Sequence, residues 1–238
     1  LVSGVTEANL LGIANLTAIG TAGVETLNGN RGNNTLSGLA GNDFLFGNAG
    51  NDILSGGIGA DTINGGDGID TAYYYYSSAA VSVNLTTGTG VSGEAAGDRL
   101  TLVENVFGSN LGSDGLTGNI GANSLYGFGG GDLLNGGLGN DQLLGGLGND
   151  TLTGGTGSDS FYFNTALNAL TNRDAITDYN SAADTIRLEN TGAGLFTTLV
   201  TGALNALFFK ANATGTATDA DDRIIYNTAT GALAYDSN

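Results

Sequence analysis

Apolar residues return along much of this chain at every ninth position, inside a regular frame of glycines. Counted in nines, two blocks of six repeats occupy residues 20–73 and 109–162. Across the twelve repeats the eighth position is Leu or Ile ten times, and Ala72 and Phe161 fill the other two. A unit of this length is too short for a helix with its connections, and short periods are typical of stacked solenoids.

Each repeat is predicted to form one short strand and one turn. Side chains alternate between the faces of a strand, so the apolar eighth position faces inward and the seventh, often Thr, Ser or Gln, faces outward. Two repeats then make one coil with a strand on each side, and coils stack about 4.8 Å apart through parallel pairing. We therefore predict an all-β fold: a parallel β-roll, or right-handed β-solenoid, of two repeat blocks with a β-rich C-terminal cap.

The turn positions are as regular as the core position. The first position is Gly in eleven of the twelve repeats and the fourth is Gly in all twelve, which allows backbone angles that a Cβ would disfavour. The sixth position is Glu25, Asn34 or Asn123 in three repeats and aspartate in nine. The nine are Asp43, Asp52, Asp61, Asp70, Asp114, Asp132, Asp141, Asp150 and Asp159.

The aspartate column predicts metal sites between coils. Stacking brings together the carboxylates of turns two repeats apart, and their like charges repel unless a cation lies between them. Ca²⁺ takes six to eight oxygen ligands, both carboxylates and carbonyls, whereas Mg²⁺ demands stricter geometry and zinc favours His or Cys, which this chain lacks. We predict several Ca²⁺ ions at about eight sites between turns. The predicted ligands are the nine aspartates together with the fourth-position glycines Gly41, Gly50, Gly59, Gly68, Gly130, Gly139, Gly148 and Gly157.

Some of these sites are expected to be more complete than others. Sites that use Glu25, Asn34 or Asn123 are expected to be weaker than sites with two aspartates. The alternative is that Asp and Asn only favour turns, which explains one Asp per turn but not an acidic column with no basic residue opposite. The pairs with Asp on both turns are Asp43/Asp61, Asp52/Asp70, Asp114/Asp132, Asp132/Asp150 and Asp141/Asp159.

Composition narrows the possible partners. The chain has 43 glycines in 238 residues, yet 40% of it is hydrophobic, which argues against disorder. Its net charge of −17 disfavours nucleic acid, because phosphate binding needs a basic face. No apolar run is long enough to span a bilayer, so we expect no membrane insertion.

The sequence predicts no catalytic residues in this chain. It has neither His nor Cys, and no Ser lies in a G-x-S-x-G motif. Acidic pairs are common, but they lie in the repeat turns, where calcium explains them better than glycoside hydrolysis does. We therefore expect that the chain is not an enzyme.

The repeats resemble a known family. GGLGNDQLL and GGLGNDTLT (136–153) match G-G-x-G-x-D-x-U-x, the pattern of the RTX (repeats-in-toxin) calcium-binding nonapeptide family. Residues 70–110 are similar to the spacer between repeat arrays, and residues 174–190 and 219–238 to the capping segment of secreted RTX proteins. The resemblance implies type I secretion, folding in extracellular calcium and a C-terminal secretion signal. We expect that signal to be missing after Asn238.

The predicted organisation has five parts. Residues 1–19 form an N-terminal cap, 20–73 and 109–162 form the two repeat blocks, and 74–108 form a spacer that continues the roll. Residues 163–238 form a C-terminal cap, expected to be truncated. Because the chain begins without Met, we expect it to be part of a longer protein. In the last part, Asp174, Asp178 and Asp184 either hold a further calcium or form a solvated face.

Three functions fit the sequence. The first is a calcium-binding module of a secreted or cell-surface protein, which folds on extracellular Ca²⁺ and supports export, with the type I secretion machinery as partner. The second is a self-associating subunit of a surface layer, adhesin or extracellular filament. The third is the non-catalytic part of a secreted protease or lipase. Nothing in the sequence decides between them.

Overall fold

The computed structural model describes residues 1–2, 4–165 and 171–188, and the strands 209–212, 224–227 and 233–235. These residues are almost entirely β-structure, and a 3-10 turn at Gly93–Ala95 is the one helical element among them. The strands are β1 (Glu7–Asn9), β2 (Thr17–Ile19), β3 (Thr26–Asn28), β4 (Thr35–Ala40), β5 (Phe44–Ala49), β6 (Ile53–Ile58), β7 (Thr62–Asp67), β8 (Thr71–Tyr73), β9 (Ser82–Asn84), β10 (Thr89–Ser92), β11 (Arg99–Thr101), β12 (Asn105–Phe107), β13 (Gly115–Thr117), β14 (Ser124–Gly129), β15 (Leu133–Leu138), β16 (Gln142–Leu147), β17 (Thr151–Thr156), β18 (Ser160–Phe163), β19 (Ala175–Ile176), β20 (Thr185–Leu188), β21 (Phe209–Asn212), β22 (Ile224–Asn227) and β23 (Leu233–Tyr235).

Two sheets form the walls of a solenoid. One has eleven strands in the order β1-β3-β5-β7-β11-β10-β9-β13-β15-β17-β19, and the other has nine in the order β2-β4-β6-β8-β12-β14-β16-β18-β20. Neighbouring strands within a block are parallel and offset by eighteen residues, as Leu36 opposite Leu54 and Leu125 opposite Leu143 illustrate. The chain therefore crosses from one sheet to the other at each turn. The predicted all-β parallel solenoid is confirmed.

The core is the column of eighth positions, stacked one coil above another. All twelve of these side chains are at most 1% exposed, because alternation along each strand points them between the two sheets. The column continues outside the repeats, where Leu100 lies opposite Ile63 and Ile176 opposite Leu152. The seventh positions face outward as expected, and even apolar ones such as Leu133 are 57% exposed.

The strands are longer than the three residues that the period suggests. β4 to β7 and β14 to β17 each have six residues, because the first three positions of the next repeat also pair with the neighbouring coil. The turn itself is correspondingly short. Backbone pairing therefore extends into the glycine-rich segments beside the acidic column.

The spacer between the two blocks lies within the solenoid. β12 pairs in parallel with both β8 and β14, so the nine-stranded sheet passes from one block to the other without a break. In the other sheet β9, β10 and β11 fold back on one another in antiparallel fashion. This antiparallel insertion departs from the uniformly parallel roll that the repeat period predicts, since no nine-residue pattern constrains these residues.

The C-terminal part is described only in pieces. β19 and β20 extend the two sheets beyond the last repeat, and β21 to β23 form a separate three-stranded sheet. Most of the cap predicted for 163–238 lies outside the described residues. Among the residues described, no helix has the length and hydrophobicity needed to cross a membrane.

The stacked core predicts that inward-facing and outward-facing leucines of one coil contribute unequally to the free energy of unfolding. Leu143→Ala removes a fully buried side chain and is expected to lower the free energy of unfolding by about 2–5 kcal/mol. Leu133→Ala removes an outward-facing leucine and is expected to cost no more than about 0.5 kcal/mol. Urea denaturation in saturating calcium measures both. Equal losses would contradict the assignment of the inner and outer faces.

Candidate metal centre

The sixth-position aspartates form a buried ladder along the solenoid. All nine are at most 2% exposed. One carboxylate oxygen, Oδ1, accepts the backbone N–H of the corresponding residue one coil earlier. Asp61 accepts from Asp43 at 2.7 Å, and Asp150 accepts from Asp132 at 2.8 Å. The carboxylates of successive coils are thus held in register by the backbone.

The other carboxylate oxygen, Oδ2, lacks a hydrogen-bond donor in most of these turns. Leaving a buried polar atom unsatisfied costs about 1–3 kcal/mol, and more if it is charged. Such an atom in a native fold indicates a bound water or ion. The aspartates with a buried, unpartnered Oδ2 are Asp43, Asp52, Asp61, Asp70, Asp132, Asp141 and Asp150.

Each free Oδ2 lies against a first-position glycine. At Gly47, a Cβ would overlap both Oδ2 of Asp52 and the carbonyl oxygen of Gly65, which belongs to the next coil. Gly47 does not have a left-handed backbone, so this glycine is required by close approach rather than by its φ angle. The expectation that unusual backbone angles explain the first column was wrong. The glycine instead opens a space lined by oxygen acceptors.

The turns fall into two classes. In eight of them both the second and fourth positions have left-handed backbones, with φ between 112° and 159° at the fourth-position glycine. Their second positions include Leu39 at φ 79°, Asn48 at 74° and Phe128 at 70°. We call these the open turns. Their sixth positions are Asp43, Asp52, Asp61, Asp70, Asp132, Asp141, Asp150 and Asp159.

The first two turns of each block are different, and we call them the closed turns. Asn34 Oδ1 accepts the backbone N–H of Asn30 at 2.6 Å, and Asn123 does the same from Asn119 at 2.7 Å. Glu25 accepts both the N–H and the hydroxyl of Thr21. Each of these side chains therefore finds donors within its own turn.

Asp114 belongs with the closed turns despite being an aspartate. Its Oδ2 accepts the N–H of Ser109, and its Oδ1 accepts the Ser109 hydroxyl and the N–H of Val81. Ser109 is the one repeat residue that replaces a first-position glycine. Of the nine predicted aspartates, Asp114 is thus the least available to a ligand.

The fourth-position glycines stack beside the aspartate ladder. The carbonyl oxygen of Gly41 lies against the α-carbon of Gly59 one coil later, and Gly50 has the same relation to Gly68. Within the described residues, no three acidic side chains converge on one point. A cation between coils would therefore draw most of its ligands from backbone carbonyls. An environment of carboxylate and carbonyl oxygens without donors fits a hard cation such as Ca²⁺.

Burial makes these carboxyl groups difficult to ionise without a cation. Loss of hydration raises the pKa of Asp61 and Asp132 to about 7 and that of Asp70 and Asp141 to about 6. The hydrogen bond from the preceding coil lowers each pKa, and a neighbouring carboxylate raises it again. The pKa of Asp43 is also raised, chiefly by burial.

Four acids outside the repeats continue the ladder. Asp98 accepts the N–H of Asp61 at 2.8 Å, Glu104 that of Asp70 at 2.8 Å, and Asp174 that of Asp150 at 3.1 Å. Asp184 accepts the N–H of Asp159 at 3.0 Å.

Sequence reasoning missed Asp98 and Glu104 and left the roles of Asp174 and Asp184 open. All four precede an inward-facing apolar residue by two positions, as the repeat aspartates do. That short pattern is a usable signal, but without the glycine frame it is weak.

Asp178, the third acid singled out in this part, lies elsewhere. Its carboxylate accepts the backbone N–H groups of Gly154 and Gly155. The structure therefore does not bring it into the ladder with Asp174 and Asp184.

A family model described as the RTX calcium-binding nonapeptide repeat matches four stretches of the chain, residues 19–54, 40–72, 109–143 and 139–164. The matches cover both blocks apart from Tyr73 and leave out residues 1–18, 73–108 and 165–238. No curated protein gives a match to the chain.

The raised pKa values predict that protonation of the buried carboxylates partly replaces calcium in stabilising the fold. Between about pH 4 and pH 7 the metal-free fold binds more protons than the unfolded chain, whose aspartates titrate near pH 4. Stability without calcium should therefore be greater at pH 5 than at pH 8, as measured by thermal melts after removal of calcium. Calcium should reverse the trend, since it competes with protons for the same carboxylates. Metal-free stability that rises with pH would contradict this.

The space beside the first-position glycines gives a second prediction. Gly47→Ala places a Cβ against Asp52 and Gly65 and is expected to lower stability in calcium by about 1–3 kcal/mol. Gly115→Ala is the matched control, because the nearest atom would be 3.5 Å away and the backbone is not left-handed. Urea denaturation compares the two variants. A neutral Gly47→Ala would show that this space is not required.

Proposed function

The two repeat blocks belong to the RTX calcium-binding nonapeptide repeat family, and we propose that this chain is a module that folds when Ca²⁺ fills its open turns. The RTX β-roll is a structural calcium-binding unit rather than a catalytic one. One ion is assigned to each of the eight open turns. At a regular turn the ligands include Oδ2 of the aspartate, the first-position carbonyl of the next coil and the carboxylate of that coil, and further backbone carbonyls complete the set.

The observation that carries this proposal is the set of seven buried Oδ2 atoms without donors. Turn formation alone does not require such atoms, because in the closed turns the side-chain oxygens of Asn34 and Asn123 each accept a backbone N–H of the same turn. The open turns instead adopt left-handed backbones that leave the oxygen free. A cation is the ligand that satisfies these carboxylates in their charged form.

Calcium binding and folding are expected to be a single process. The ligands of each ion come from coils eighteen or more residues apart in sequence, so the unfolded chain has no preformed site. A ligand that binds only the folded state stabilises it by about 2.7 kcal/mol per site at 100 times its dissociation constant. With a net charge of −17, the metal-free chain also repels itself at neutral pH.

This linkage supports a role in export. In a cytosol poor in free calcium, the acidic chain stays largely unfolded and available to a type I secretion system. Outside the cell, calcium binds and drives folding. We therefore propose a secreted or cell-surface location and a role in the export and stability of the protein that contains this chain.

A calcium titration tests the folding switch. After chelation at pH 7.5, the far-UV circular dichroism of the chain is expected to change from coil to β-structure on addition of Ca²⁺ but not of Mg²⁺. Asp141→Asn keeps a hydrogen-bond acceptor but removes a charge, and it should raise the calcium midpoint about tenfold or more. Asp67→Asn, at an exposed position, is the matched control.

Two outcomes would contradict the proposal. A chelated chain that is already folded at neutral pH and does not respond to calcium would leave the aspartates as turn formers only. Equal midpoints for Asp141→Asn and Asp67→Asn would show that general charge, rather than the ladder, controls folding.

A further inference from the structure

The open turns that end the first block have no repeat above them. A regular site needs a carbonyl and a carboxylate from the next coil, but after Asp61 and Asp70 the next coil is built by the spacer. The family match does not extend into that spacer. Any further ligands of a cation at Asp70 must therefore come from residues of the spacer.

A regular open turn provides the reference. At Asp52, the neighbouring Gly47 is approached by Oδ2 of Asp52 and by the carbonyl oxygen of Gly65 in the next coil. The N–H of Asp52 donates to Oδ1 of Asp70 at 2.7 Å. Three groups thus line the space: the carboxylate of Asp52 itself, and one carbonyl and one carboxylate from the next coil.

The same three kinds of group are present at Asp70, and the spacer supplies two of them. Gly65 is approached by Oδ2 of Asp70 and by the carbonyl oxygen of Leu102, which takes the place of a first-position glycine carbonyl. The N–H of Asp70 donates to Oε2 of Glu104 at 2.8 Å. Asp70 is fully buried, and its Oδ2 has no hydrogen-bond partner.

The chain reaches this arrangement by a different route. Only one residue separates Leu102 from Glu104, whereas four separate the first and sixth positions of a repeat. Glutamate is one methylene longer than aspartate, which suits the shorter connection.

The backbone of Leu102 is left-handed, with φ 51°. The other non-glycine residues with positive φ in the described part are Leu39, Asn48 and Phe128, all at second positions of open turns. The Leu102 side chain is 57% exposed, so packing does not explain this conformation. With this backbone, the carbonyl oxygen of Leu102 lies beside Gly65.

We propose that Glu104 and the main-chain carbonyl of Leu102 complete a divalent-cation site with Asp70, outside the repeat motif. This site rests on the calcium-binding function proposed above. It also joins the two blocks, because Asn123 in the second block donates its side-chain N–H to the carbonyl of Glu104 at 2.7 Å. Asp98 differs, since its Oδ2 accepts the Tyr74 hydroxyl at 2.8 Å.

The alternative role of Glu104 is purely structural, as an acceptor for the N–H of Asp70. Glu104→Gln separates the two roles, because glutamine keeps an acceptor oxygen but loses the charge that a cation needs. The matched control is Glu7→Gln, the same change on an exposed residue of β1. Calcium bound per chain is measured by equilibrium dialysis at pH 7.5, with circular dichroism as a check on folding.

Glu104→Gln is expected to lose about one ion per chain, or to weaken one site about tenfold or more, relative to Glu7→Gln. Identical binding curves for the two variants would overturn the proposal and assign Glu104 the structural role. If the wild-type chain binds no calcium, the proposed function fails instead, so the two failures are distinguishable.

A second variant covers the case in which Glu104→Gln does not fold. The Asp70 carboxylate serves the site below, with Asp52, and the site above, with Glu104. Asp70→Asn should therefore affect two ions. If only one ion is affected, no site lies above Asp70 and the proposal is overturned.

Discussion

A column of buried carboxylates, one coil apart, is the constraint on which this solenoid depends. Nine of the twelve repeats bury an aspartate in this column, and in seven of them only one of the two carboxylate oxygens has a hydrogen-bond donor. Burial and mutual repulsion oppose ionisation of these groups. The Ca²⁺ ions that we propose would balance this charge at neutral pH.

The other features of the repeat follow from this column. The first-position glycine leaves room for the free oxygen, and left-handed second and fourth positions shape the open turn. Closed turns begin each block, with side-chain oxygens that accept donors of the same turn, and open turns follow. Each block thus starts with turns whose side-chain oxygens have donors, and most of the turns that follow have a buried carboxylate oxygen without one. The leucine column supplies the apolar core, and the acidic column is the feature on which the proposed calcium dependence rests.

Much of the fold could be predicted from the sequence, because the repeat fixes both the inward column and the turns. Less of the site could be predicted. Asp114 looks equivalent to the other aspartates in sequence, yet Ser109 supplies a hydroxyl donor that a glycine lacks. Glu104 lies outside the nine-residue frame and joins the ladder only because β12 stacks on β8. Such residues are positioned by tertiary stacking, which local spacing does not encode.

A crystal structure of the calcium-loaded chain, with ions located by anomalous scattering, would show directly where calcium binds. We expect ions at the open turns, each in contact with an aspartate Oδ2 and with a carbonyl of the next coil. We expect none beside Asn34, whose turn is closed. Open turns without ions, or ions bound only to surface acids such as Asp67, would contradict the claim that the buried ladder is the calcium site.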